Sequence, residues 1–149
     1  MSEYKLKTLD EVGLSNDFMF GKVMQNKYLC KKLLQLIFPE INIEHIEYPE
    51  LQKNIKPDGD AHGIRLDVYV KDDKNSVYDI EMQAVDTKEL PKRSRYYQGV
   101  IDLQLIDAGQ SYSKLGHNYV IFICMGDIFG KGRHQYRFEN FCMDEKNLH

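Results

Sequence analysis

The clearest pattern in the chain runs from Gly63 to Gln83. Ile64, Leu66, Val68 and Val70 alternate with Arg65, Asp67 and Tyr69, as in a strand with one apolar face. Asp72-Asp73-Lys74-Asn75 then supplies a cluster of turn formers. The next run alternates again: Tyr78, Ile80, Met82 and Ala84 on one side, Val77, Asp79, Glu81 and Gln83 on the other. Two such runs around a short polar turn predict an antiparallel hairpin.

Upstream, Ser15-Asn16-Asp17 offers helix-capping side chains before Phe20, Val23 and Met24, which recur at helical spacing, and Asn26 is a break. A second helix is predicted over Lys27 to Ile37 from Leu29, Leu33, Leu36 and Ile37, closed by Phe38-Pro39. The stretch Asn42 to Tyr48 alternates weakly and reads as a first strand. After Pro91 a helical stripe of Tyr97, Ile101, Leu105 and Ala108 begins, and Gly109 stops it. Tyr119 to Met125 is nearly all apolar and β-rich, as in a strand buried on both faces. Gly126 to Gly132 turns the chain into a last alternating piece, Arg133 to Phe138. The order is helices, three strands, a helix and a strand. The crossover from Gln83 to Tyr119 requires a parallel, right-handed connection, so the class is α/β with a mixed sheet flanked by helices.

Composition narrows this without redirecting it. The 149 residues suit one domain, and no repeat or Ser/Pro-rich linker divides them. The 20 basic against 23 acidic residues leave a charge of -3, which excludes nucleic-acid binding through bulk positive charge but not a local basic patch. No apolar run approaches the roughly 18 residues of a membrane span, so no membrane partner is expected. Met1 to Asp10 carries acids and no apolar core, which excludes a secretory signal. Cys30, Cys124 and Cys142 are odd in number and widely spaced. They read as reduced thiols of a cytoplasmic protein.

The chemistry concentrates on the hairpin. If its turn centres on Lys74, Asp67 lies directly across from Glu81, with Cβ atoms roughly 4.5–5.5 Å apart. A slip of two residues would set Asp67 opposite Asp79 or Gln83 instead. Each register gathers two or three carboxylates on the face opposite the aliphatic stripe. Like charges so placed need compensation, either from a divalent cation or from Arg65 or a neighbouring Lys; a merely solvated acidic face is the simpler alternative. Lys88, Lys92, Arg93 and Arg95 gather four positive charges near the start of the long helix. They could meet phosphates or simply face water. Tyr96 and Tyr97 read as packing residues. His45, His62, His117, His134 and His149 never pair at metal-binding helical spacing, and Gly130-Lys131-Gly132 lacks the rest of a phosphate loop. Ser111 and Ser113 carry no nucleophile-elbow motif. Asp17 could reach the acid patch or cap the first helix, and the cap is the preferred reading.

Three stretches carry a resemblance. They are Asn16-Asp17-Phe18-Met19-Phe20-Gly21-Lys22; Arg65-Leu66-Asp67-Val68 with Asp79-Ile80-Glu81-Met82-Gln83; and Leu90-Pro91-Lys92-Arg93-Ser94-Arg95-Tyr96-Tyr97 leading to Gly109-Gln110-Ser111-Tyr112. Together they resemble the recombination-promoting nuclease and transposase-like branch of the PD-(D/E)XK phosphodiesterases, over residues 15 to about 125. The resemblance implies a restriction-endonuclease-like core and a DNA endonuclease linked to recombination or transposition, with Mg²⁺ as cofactor and Mn²⁺ as substitute. Asp67 and Glu81 would hold the metal with the Met82 carbonyl, and Gln83, in the slot where many relatives have lysine, would orient the attacking water. A nearby cation, Lys92, Arg93 or Arg95, would replace the lost lysine charge, and the same three residues would contact DNA. The alternative is a non-cleaving DNA-binding or assembly module that keeps the fold. A homo-oligomer is compatible with either. Members of the family tend to be longer, and the polar stretch Asp144 to His149 then reads as the end of a single domain lacking a C-terminal region.

Overall fold

In the computed structural model, residues 13–57, 59–85 and 87–145 are described. The expectation for Met1–Asp10 falls outside them, as does most of the polar C-terminal stretch. Helix α1 (Asp17–Met24) is capped by Asn16, whose side chain accepts from the Met19 N–H at 3.1 Å. The expected cap at Asp17 is therefore displaced by one residue: Asp17 is the first helical position, and its carboxylate accepts from Phe18 N–H. Helix α2 (Lys27–Ile37) starts at Asn26, which accepts from the Tyr28 and Leu29 N–H groups. It ends at Phe38, before Pro39.

Four strands follow, β1 (Glu50–Ile55), β2 (Ile64–Lys71), β3 (Val77–Gln83) and β4 (Asn118–Cys124), with α3 (Leu90–Leu105) crossing between the last two. The sheet order is β1-β2-β3-β4. The first two pairings are antiparallel and β3–β4 is parallel, as the crossover requires. The β2–β3 register runs from Lys71↔Val77 to Val68↔Ile80, which centres the turn on Lys74.

Several sequence expectations fail: Tyr119–Met125 is not buried on both faces, since β4 is an edge strand and half-buried throughout, and α3 ends at Leu105 rather than at Gly109. The stretch Asn42 to Tyr48 makes only an isolated bridge, Ile46↔Asp72, and the true edge strand is β1. Its sequence ELQKNI has two aliphatic residues and carries little alternation, because an edge strand is held by backbone bonds along one side and by Leu51 and Ile55 beneath. Arg133 to Phe138 is not a strand either. Its side chains are engaged locally: Tyr136 donates to Asp127, Phe129 packs on Tyr136 and Phe138, and Arg137 reaches Glu40 and the Ile37 carbonyl.

The alternation of β2 also breaks. Val68 and Val70 pack with α1 and α2 residues Phe20, Met24, Cys30 and Leu34. Ile64, Leu66 and Tyr69 pack instead with Val100 and Ile101 of α3. The strand therefore changes sides at Asp67. Opposite it in β1, Gln52 adopts a left-handed φ of 50° and the ladder skips both residues. Such local departures re-aim a side chain.

Helix α1 comes close to the sheet at Gly21, where a Cβ would sit 3.3 Å from Leu51. The hairpin turn is organised by buried Asp72, which accepts from the Lys74 and Ser76 N–H groups and, at 2.9 Å, from the Tyr78 hydroxyl. Tyr78→Phe should therefore cost about 1–3 kcal/mol of stability, the usual effect of stranding a buried acceptor. Chemical denaturation would measure it. Cys30 is a buried free thiol, and no helix among the described residues is long and apolar enough to cross a membrane.

Candidate active site at the splayed ends of β2 and β3

Past Val68↔Ile80 the two central strands no longer pair, and side chains take over the bonding. The Asp67 N–H donates to Glu81 Oε1 at 2.9 Å, and the Met82 N–H donates to Asp67 Oδ2 at 3.2 Å. Each acid thus accepts from the partner strand's backbone. This reciprocal pair brings Asp67 and Glu81 together, in the register that places residue 67 across from residue 81.

The acids are not on a solvated face. Glu81 is 2% exposed and Asp79 0%, while Asp67 is half-buried. The reason is α3, whose Val100 and Ile101 pack over that side of the sheet. Helix α3 also supplies the compensating charge. Arg93 donates from Nη2 to Glu81 Oε2 at 2.8 Å and from Nη1 to Gln83 Oε1 at 2.8 Å. Its position is fixed by the Tyr97 hydroxyl, 3.1 Å from Nε, and by the faces of Tyr97 and Phe122, 5.1 and 5.0 Å away. Gln83 is anchored in turn by donating its amide to the Val85 carbonyl.

The remaining basic residues diverge. Lys92 is exposed at the first turn of α3. Arg95 is also exposed and lines a different cleft with Gln98, Asp102, His117 and Asn118. Of the three cations expected to contact DNA, Arg93 turns to the acids, about 100° around the helix from Lys92, while Lys92 and Arg95, three residues apart, stay exposed on one face. Tyr97 is a packing residue, as its place on the apolar stripe implied.

On the α1 side, Asp67 borders a cleft of about 280 Å³ lined also by Asp17, Lys22, Gln25 and Gln52. No residue pattern marks this cleft, since the β1 strand that forms its wall carries little alternation. Asp17 is near enough for its charge to push the Asp67 carboxyl upward.

Burial raises the Asp67 carboxyl above its usual range, with the Met82 N–H acting in the opposite direction. Burial likewise raises Glu81, against the Asp67 N–H and Arg93. Asp79 is raised furthest, by burial and by neighbouring Glu81. An acid raised in the folded state holds its proton longer there than when unfolded, so the folded state is disfavoured as pH climbs. Metal-free stability should accordingly decline as the pH rises above about 4.5, the ordinary Glu value. Melting curves at stepped pH would check this, and a flat or rising profile would contradict it.

Three acids thus cluster around Arg93, with Arg65 acting on Asp67 from β2, and no N–H or hydroxyl of the protein donates to either oxygen of Asp79, whose carboxyl lies against that of Glu81. This surplus of hard oxygen and negative charge suits a divalent cation with water completing its shell. Asp67, Glu81 and the Met82 carbonyl are the donors that could hold it; among the described residues no three acidic, His or Cys side chains form a ready-made cage.

The arrangement agrees with the comparison to known families. A family model described as PD-(D/E)XK nuclease family transposase matches residues 15–149. No curated protein and no solved structure matches the chain. With the α/β order, the splayed hairpin ends and the acids in place, this chain belongs to the PD-(D/E)XK nuclease family transposases.

Proposed function

We propose that this chain is an endonuclease that hydrolyses DNA phosphodiester bonds with Mg²⁺, or Mn²⁺ in its place, in recombination or transposition. The observation that carries this reading is the reciprocal Asp67–Glu81 pair, held in the strand gap with more negative charge than Arg93 can balance. A divalent cation bound there supplies an activated water and offsets charge on the phosphate. Asp67 and Glu81, with the Met82 carbonyl, are the groups that hold it. Gln83 accepts from Arg93 through its oxygen and spends one amide hydrogen on Val85, which leaves one to orient water. Arg93, bonded to Glu81 and Gln83, takes the place of the lysine many relatives carry at residue 83, and the phosphate it meets is the scissile one. Lys92 and Arg95 are surface cations one turn apart at the helix start, suited to flanking phosphates.

The test is cleavage of plasmid and linear DNA with Mg²⁺ or Mn²⁺ added and then chelated. Cation-dependent nicking is expected, and its absence under both metals would sink the proposal. The second reading, a non-cleaving DNA-binding or assembly module, is favoured by one observation: Arg93 already neutralises Glu81. That module would bind DNA and show no cleavage to lose.

The surface cations can be separated from the centre. Lys92→Gln and Arg95→Gln should each weaken duplex binding regardless of sequence, flattening the log–log salt dependence by about 0.9 per lost phosphate contact. Fluorescence anisotropy at several salt concentrations would measure it, and an unchanged slope would mark that residue as facing only water.

A further inference from the structure

Asp79 has no part in the mechanism above, yet it is the most buried acid of the centre. It lies mid-strand in β3, in register with Tyr69 of β2 and Val120 of β4, both of the apolar cluster packed on α3. It is 0% exposed, no N–H or hydroxyl of the protein donates to either carboxyl oxygen, and its one polar contact is the neighbouring acid, Glu81. The charges facing it are Glu81, Asp67 and Arg93. Arg93 is already committed to Glu81, Gln83 and Tyr97. A carboxylate buried without a donor is costly, and a packing position at mid-sheet would be better served by an amide or an aliphatic side chain.

We propose that Asp79 is a positioning residue of the cation centre, set behind Glu81 to orient that ligand and to accept from the hydration shell of the ion that Asp67 and Glu81 hold. This inference rests on the divalent-cation reading of that site. Groups behind metal ligands orient them and tune their affinity without touching the ion. The placement fits that role: Asp79 is two residues before Glu81 in an extended strand, so both side chains leave β3 on the same side. Its consequence is that the acid opposes folding when the cation is absent and favours cation binding when it is present.

The experiment uses the full chain at one pH, without DNA, and Mn²⁺ as the probe. Wild type and Asp79→Asn are compared by thermal melting in chelator and by calorimetric titration with Mn²⁺. The amide keeps the volume and can donate to Glu81, so the metal-free Tm should rise, by about 2–4 °C for each 1 kcal/mol recovered in a chain of this size. Mn²⁺ affinity should fall by about 10- to 100-fold. The opposite signs are diagnostic, since an acid that merely supported packing would lower both. A lower Tm, or failure of Asp79→Asn to fold, would make Asp79 a structural residue and overturn the inference. Unchanged Mn²⁺ affinity would overturn it too, while leaving the cation site standing. Wild type that binds no Mn²⁺ would bring down both the inference and the cation reading.

Discussion

Asp67→Asn should abolish cation-dependent DNA cleavage, a loss of about 10³-fold or more, because several kcal/mol of charge stabilisation leave with the ligand. The fold should survive, since the Asn carbonyl can still accept from the Met82 N–H that Asp67 engages. Glu81→Gln should lose cleavage to a similar degree but keep DNA binding, or improve it, as one negative charge beside the phosphate is gone. Plasmid nicking measures the first effect, anisotropy the second, and circular dichroism melts confirm folding. Asp67→Asn cleaving at the wild-type rate would refute the mechanism.

Arg93→Ala is expected to have the next largest effect. Removing one preorganised positive group from a developing phosphate charge costs about 10²–10³-fold in rate. The variant also strands Glu81, but the loss of stability should stay below the about 3–5 kcal/mol of a fully buried pair. Arg93 is 30% exposed, so water screens part of the pair. Arg93→Lys should rescue poorly, because a point charge cannot span Glu81 and Gln83 as the guanidinium fork does. Gln83→Lys in the Arg93→Ala background should restore part of the rate by returning a cation to the strand. Single-turnover cleavage would compare the four proteins. Full activity in Arg93→Ala would remove the arginine from the chemistry.

Much of this centre was legible in the sequence because strands with buried faces leave a period-two signature. The hairpin follows from that signature, but the pairing of residues 67 and 81 was one of three allowed registers, and only the turn centred on Lys74 selects it. Arg93 could be named as a candidate cation but not chosen over Lys92 and Arg95, because the choice depends on the angle at which α3 crosses the sheet. Burial of Glu81 and Asp79 was hidden for the same reason: a polar stripe reads as solvated until a helix is laid over it. The β1 strand was misplaced because its six residues owe their conformation to the neighbour β2 rather than to a pattern of their own. The switch of sides at Asp67 was invisible because unbroken alternation in residue type concealed a turn of the backbone opposite Gln52.

That switch has a consequence for how the protein tolerates change. Asp67 stands on a seam between two apolar layers, one built on α1 and α2 and the other on α3. A seam is held from both sides and can be loosened from either. Trimming Val68 disturbs one layer and trimming Leu66 the other, yet each displaces the same carboxylate by way of the residue next to it. Close-packed interiors transmit such shifts rather than absorbing them. Variation deep in either layer should therefore shift the Asp67 carboxylate while the molecule as a whole still stands.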